Sequence, residues 1–137
     1  MLIHEQDFEQ TESVLMQILE AYEVEQTGHE PSVTEKYAWS INVQEQFAGG
    51  LTCTIWHDVM HISLLAIEKG YRHQKLATKL MMVAQEKAIE QDVTTITLNT
   101  QDFQARGFYE KLGFTVFGEL KDVPYVGTSR YYLVKRL

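Results

Sequence analysis

The chain has 137 residues, one cysteine and a formal net charge of −7, which allows one hydrophobic core and a single domain over residues 1–137. It holds no run of about eighteen apolar residues, and Met1-Leu-Ile passes at once into charged and polar residues, so neither a membrane span nor an export leader is expected and the cytoplasm is the expected location. Residues 1 to 35 carry nine carboxylates and no Lys or Arg, which argues against nucleic acid as their ligand, while the lone Cys53 in an apolar run suits a reducing compartment.

In chain order, Phe8, Val14, Leu15, Ile18, Leu19 and Tyr22 recur at helical spacing behind an Asp7…Gln10 capping box, which predicts a helix from about 8 to 23. Thr27-Gly-His-Glu-Pro-Ser reads as a loop. Residues 36–43, 46–56 and 59–68 are rich in aromatic, β-branched and apolar side chains, with polar breaks at Gln44-Glu45 and His57-Asp58. They predict three antiparallel strands joined by hairpins. From Leu76 the spacing turns helical through Leu80, Val83, Ala84 and Ala88 to about Gln91, and Thr94 to Thr100 is a β-branched strand. Strand, long helix and strand form a crossover, so those two strands should run parallel. A short helix over about 103–112 should stop at Gly113, and 114–122 with 129–136 should close the domain as an antiparallel pair. The expected class is α/β, a mixed sheet of about seven strands with helices on both faces.

The junction before the long helix is the most informative segment. Lys69, Arg72, Lys75 and Lys79 fall within eleven residues that hold no acid, a positive island in an acidic chain. The first N–H groups of a helix lack carbonyl partners and point outward, and the helix dipole adds partial positive charge there, so a pyrophosphate would suit this corner.

The segment Tyr71-Arg72-His73-Gln74-Lys75-Leu76-Ala77 resembles the acetyl-CoA pyrophosphate loop of the GCN5-related N-acetyltransferase (GNAT) family, Gln/Arg-x-x-Gly-x-Gly/Ala. Arg72 and Ala77 match it, and Lys75 stands where the family has glycine. Gln104-Ala-Arg-Gly-Phe-Tyr-Glu-Lys-Leu-Gly-Phe114 is similar to the family's second signature, Tyr-x-x-x-Gly-Phe at the end of a short helix. The resemblance implies the GNAT fold and an acetyl-CoA-dependent N-acetyltransferase that passes acetyl directly to a primary amine. It also implies acetyl-CoA as cosubstrate, bound by the Leu65 and Ile67 main chain and by Arg72, His73, Gln74, Lys75, Leu76 and Ala77, with an N–H near Leu65 polarising the thioester. Tyr109 then serves the leaving thiolate. Asp102 stands where many members have asparagine. By the same resemblance, Glu23, Glu25 and Glu30 border the acceptor pocket, which favours a small cationic amine.

The residues leave alternatives beside this. Tyr109 shares a helical face with Ala105, Phe108 and Leu112 and could equally be a core aromatic. His61 is the candidate base, since a neutral imidazole accepts a proton, and its six-residue separation from Ile67 places both on one face of a regular strand. A structural histidine stays open beside that role. His57-Asp58-Val-Met-His61 mimics the zinc motif His-Glu-x-x-His, but four residues of strand span roughly 13 Å, too far for one ion, so no metal is expected. The acceptor is a small-molecule or peptide amine, with neither nucleic acid nor membrane as partner, and association into a homodimer is left open. The second function open to the sequence is a degenerate CoA-binding sensor or interaction module without turnover.

Overall fold

The computed structural model describes residues 1–101 and 103–137, and for residues 103 and 104 the backbone alone. The chain forms two compact units, Met1–Val33 and Thr34–Leu137. In the first, helix α1 spans Phe8–Thr27. The Asp7 carboxylate accepts the Gln10 N–H at 3.0 Å, as the capping box requires. The helix runs a turn past the expected Tyr22–Glu23 because Val24-Glu-Gln-Thr continues it with no breaker. It ends where Gly28 turns left-handed (φ 73°) and donates its N–H to the Val24 carbonyl.

In the second unit the elements are β1 (Glu35–Val43), β2 (Gln46–Trp56), β3 (Val59–Ile67), a single 3-10 turn (Lys69–Tyr71), α2 (Leu76–Glu90), β4 (Thr95–Thr100), α3 (Phe103–Lys111), β5 (Thr115–Lys121) and β6 (Ser129–Arg136). The sheet order is β1-β2-β3-β4-β6-β5, antiparallel throughout except for the β3–β4 pair. Gln44 and Glu45 both take positive φ, the two-residue turn whose twist suits a tight hairpin. The sheet has six strands rather than about seven. Each of the six β-rich stretches supplies one, and among the described residues no stretch remains to supply another.

The core lies on one face of this sheet. Ile55 pairs with Met60, Met60 with Ile96, and Leu98 with Leu133, so their side chains share a side, and all are buried. Leu80, Met81, Ala84 and Ala88 of α2 pack there, as do Tyr109 of α3 and Phe114 just beyond it. A pocket shared by Met81, Leu112 and Phe114 over Ile62 and Ile96 places α2 and α3 side by side on that face. The opposite face of this unit carries His61, Thr97 and Tyr132.

Candidate active site

The parallel ladder between β3 and β4 is short, pairing only Val59 with Thr95, Met60 with Ile96 and His61 with Thr97. Beyond His61 the β3 main chain runs on to Ile67, and among the described residues no strand pairs with its β4-facing edge. A change of register lies on its other side. Cys53 pairs with Ile62 and Thr52 with Leu64, so Ser63 is an extra residue in β3. A bulge of this kind bends its strand and increases the local twist, and here it accompanies the parting of β3 from β4. Close support comes from Gly49, where a Cβ would sit 2.6 Å from the Ala66 carbonyl, so only glycine lets β2 approach the departing strand.

The bulge also reverses the alternation of β3. Met60 and Ile62 point into the core before it, and Leu65 and Ile67 pack against the same core after it, while Leu64 and Ala66 line a different hollow with Ser40 and Phe47. The expectation that His61 and Ile67 share a face therefore fails. His61 faces away from the α2–α3 core, and Ile67 faces it.

A groove of about 560 Å³ lies between the far end of β3, beyond its ladder with β4, and the start of α2, and neither His61 nor Tyr109 lines it. Of the residues expected to hold the cosubstrate, Leu65, Ile67, Arg72, His73, Lys75, Leu76 and Ala77 line it, and Gln74 does not. Ala66, Tyr71, Thr78 and Phe108 line it as well and were not singled out from the sequence, although Tyr71 and Phe108 lie inside the two motifs. The turn is built on unusual backbone. His73 has φ 66°, and Lys75, the residue before α2, has φ 60° and ψ 24°. This left-handed geometry explains the glycine of the family motif, because a side chain there crowds its own carbonyl. Arg72 ties the turn to the strand, its Nε donating to the Ile67 carbonyl at 3.2 Å.

Tyr109 is 8% exposed, with Phe108 and Phe114 edge-on at ring distances of 5.0 and 5.9 Å. Burial raises its hydroxyl above the ordinary phenol value, so at neutral pH it is a hydrogen-bond donor. His61 stands on the opposite face with Nδ1 2.9 Å from Thr97 Oγ1. Cys53 is buried and its thiol is pushed up to about 11 by desolvation, which removes it as a nucleophile. His57 sits in a hairpin turn and His61 in a strand, so the zinc-like pattern has no helix to stack it, and among the described residues no three His, Cys, Asp or Glu side chains converge. Glu23 and Glu25 lie in the last turns of α1 and Glu30 in the loop after it, within the first unit. Asp102 lies outside the described residues. No described helix is long and apolar enough to cross a membrane.

Residues 5–124 match the family model described as an acetyltransferase (GNAT) domain. A blasticidin-S acetyltransferase from Streptomyces morookaense is 31% identical over 105 residues, 75% of this chain and 76% of that one. The crystal structure of an acetyltransferase from Bacillus cereus ATCC 14579 superposes with a TM-score of 0.88 at 25% identity, over 100% of this chain and 98% of that one. An aminoglycoside 6′-N-acetyltransferase complexed with coenzyme A shares the fold at a TM-score of 0.68 and 18% identity, over 99% of this chain and 97% of that one. A family match that spans most of the chain, joined by a relative alike over three quarters of it, makes this protein an acetyltransferase of the GNAT family.

Proposed function

We propose that the whole chain serves as one cytoplasmic N-acetyltransferase domain that moves acetyl from acetyl-CoA to a primary amine of a small cationic acceptor in a ternary complex. The observation that carries this is the parting of β3 from β4 after His61 and Thr97, with a groove that joins the far end of the departing strand to a basic, left-handed turn at the start of α2. Main-chain groups on that edge of β3, with which no described strand pairs, suit the amides of a pantetheine arm, and the turn suits its pyrophosphate.

At neutral pH an alkyl ammonium with pKa about 10.4 must give up a proton before it attacks, at a cost of about 4–5 kcal/mol. His61 Nε2 takes that proton, directly or through water. The amine nitrogen then forms a bond to the acetyl carbonyl carbon, an N–H near Leu65 stabilises the oxyanion, and collapse breaks the C–S bond as the nitrogen gives up its second proton to solvent, leaving a neutral amide. Tyr109 donates a hydrogen bond to the departing sulfur. Because burial raises its hydroxyl further above a thiol's ordinary value, the thiolate's proton comes finally from solvent. Glu23, Glu25 and Glu30 favour cationic acceptors by long-range attraction.

The test is thiol release from acetyl-CoA by the purified protein against a panel of amines: blasticidin S first, then aminoglycosides, polyamines, amino-acid derivatives and a peptide N-terminus. Turnover that is fastest for cationic amines, with a KM that rises with salt, is expected. No thiol release with any amine would leave a CoA-binding module, and a preference for neutral or acidic acceptors would remove the three glutamates from the site. Sedimentation of the same sample reads whether it works as a homodimer.

A further inference from the structure

His61 and Thr97 are the last residues to pair across the β3–β4 ladder, and their side chains meet there at 2.9 Å between Nδ1 and Oγ1. Thr97 lies between Ile96 and Leu98, both buried in the core, so its own side chain and that of His61 share the opposite face. Both residues are half-buried, and a β-branched side chain on a strand has a stiff χ1, so the hydroxyl is held in place.

A neutral imidazole carries one N–H and one lone pair, and the nitrogen that bears the hydrogen cannot take another. If Nδ1 holds it, Nε2 is the base. If Nε2 holds it, the ring cannot receive the amine's proton. We propose that Thr97 is a positioning residue, its Oγ1 accepting the Nδ1–H of His61 and thereby keeping Nε2 unprotonated as the proton acceptor. Preorganisation favours this arrangement over the reverse. After Nε2 takes the proton, the imidazolium still donates from Nδ1 to the same oxygen, so nothing turns during the transfer. With Thr97 donating instead, Nε2 would already carry the hydrogen and the ring's one lone pair would be taken up by Thr97.

This rests on the reading of His61 as the base, and the two are separable. The first measurement is 15N-resolved NMR of the imidazole nitrogens in the full-length protein above pH 8, with the His61 signals assigned from His61→Gln. The hydrogen is expected on Nδ1 in the parent and in Thr97→Ser, and Thr97→Val should raise the share on Nε2. The second measurement is turnover of acetyl-CoA with putrescine as the amine. Thr97→Val should lower kcat about tenfold, part of the roughly 10²–10⁴-fold that a positioned base contributes, with the KM for acetyl-CoA unchanged and with recovery in Thr97→Ser. A parent His61 carrying its hydrogen on Nε2 overturns the proposal. A slow His61→Gln beside a Thr97→Val at the parental rate overturns Thr97 alone, while a His61→Gln at the parental rate removes the base itself and the role of Thr97 with it.

Discussion

Lys75→Gly puts the main departure from the family's loop motif to a physical test. Lys75 holds φ 60° and ψ 24° immediately before α2. A non-glycine residue in that conformation is strained by roughly 1–2 kcal/mol. Glycine relieves the strain, but the unfolded chain gains freedom worth about 0.4–1 kcal/mol, so the net gain should be about 0.8 kcal/mol. For a domain of this size an unfolding entropy of roughly 0.3 kcal/mol per kelvin converts that into a rise in Tm of about 2–3 °C. Lys75→Ala separates charge from conformation. It removes the same cation from the cluster of Lys69, Arg72 and Lys79, yet keeps a Cβ in the left-handed region. Urea titration and thermal melting followed by circular dichroism should therefore order the variants with glycine above alanine. Calorimetry should find acetyl-CoA binding retained, because the peptide N–H survives and the backbone can come closer to phosphate as one cation is lost. Glycine no more stable than alanine would refute the account of the turn.

Three other outcomes follow from the same geometry. Arg72→Ala removes both a cation of the turn and the bond to the Ile67 carbonyl, so calorimetry should show weaker acetyl-CoA binding, with the larger loss at low salt. Tyr109→Phe keeps the packing against Phe108 and Phe114 and deletes the hydroxyl, so kcat should fall several-fold with little change in acetyl-CoA affinity, and equal rates would return Tyr109 to the core. Burial holds the Cys53 thiol at about 11 against an ordinary 9.0, so the unfolded chain loses that proton first. Stability from this group is then complete below pH 9 and declines toward pH 11 by at most about 2–3 kcal/mol; in urea titrations Cys53→Ala should be less stable overall but free of that part of the slope.

Much of the fold was legible because its signals are local. Polar breaks separate strands whose alternation or β-branched content is plain, and every strand boundary fell within one residue of its predicted place. The basic turn was legible from charge alone, since four cations without an acid stand out in an acidic chain. What was not legible depends on contacts between segments distant in sequence. The length of the β3–β4 ladder is one example, for nothing in Val59–Ile67 or Thr95–Thr100 says that pairing ends after three residues. The Thr97 hydroxyl is another, 36 positions from the histidine it meets and reading in sequence as one more β-branched residue of a strand.

The alternation of β3 shows most clearly where counting residues misleads. Val59-Met-His-Ile-Ser-Leu-Leu-Ala-Ile67 does carry a trace of the bulge, since the doublet Leu64-Leu65 breaks the alternation just after a small polar Ser63. A central strand with apolar cover on both sides shows the same run without any bulge, so the trace has two readings and only the pairing with Thr52 and Cys53 decides between them. The decision matters for chemistry. With regular alternation, His61 would lie on the side of Leu65 and Ile67, in competition with whatever lies along that groove. With the bulge, the candidate base stands on one face of the sheet while the groove-lining Leu65 and Ile67, together with Tyr109, stand on the other. In the proposed transfer, that separation leaves the amine to be deprotonated on one side while the thiolate is received on the other. One inserted residue supplies it.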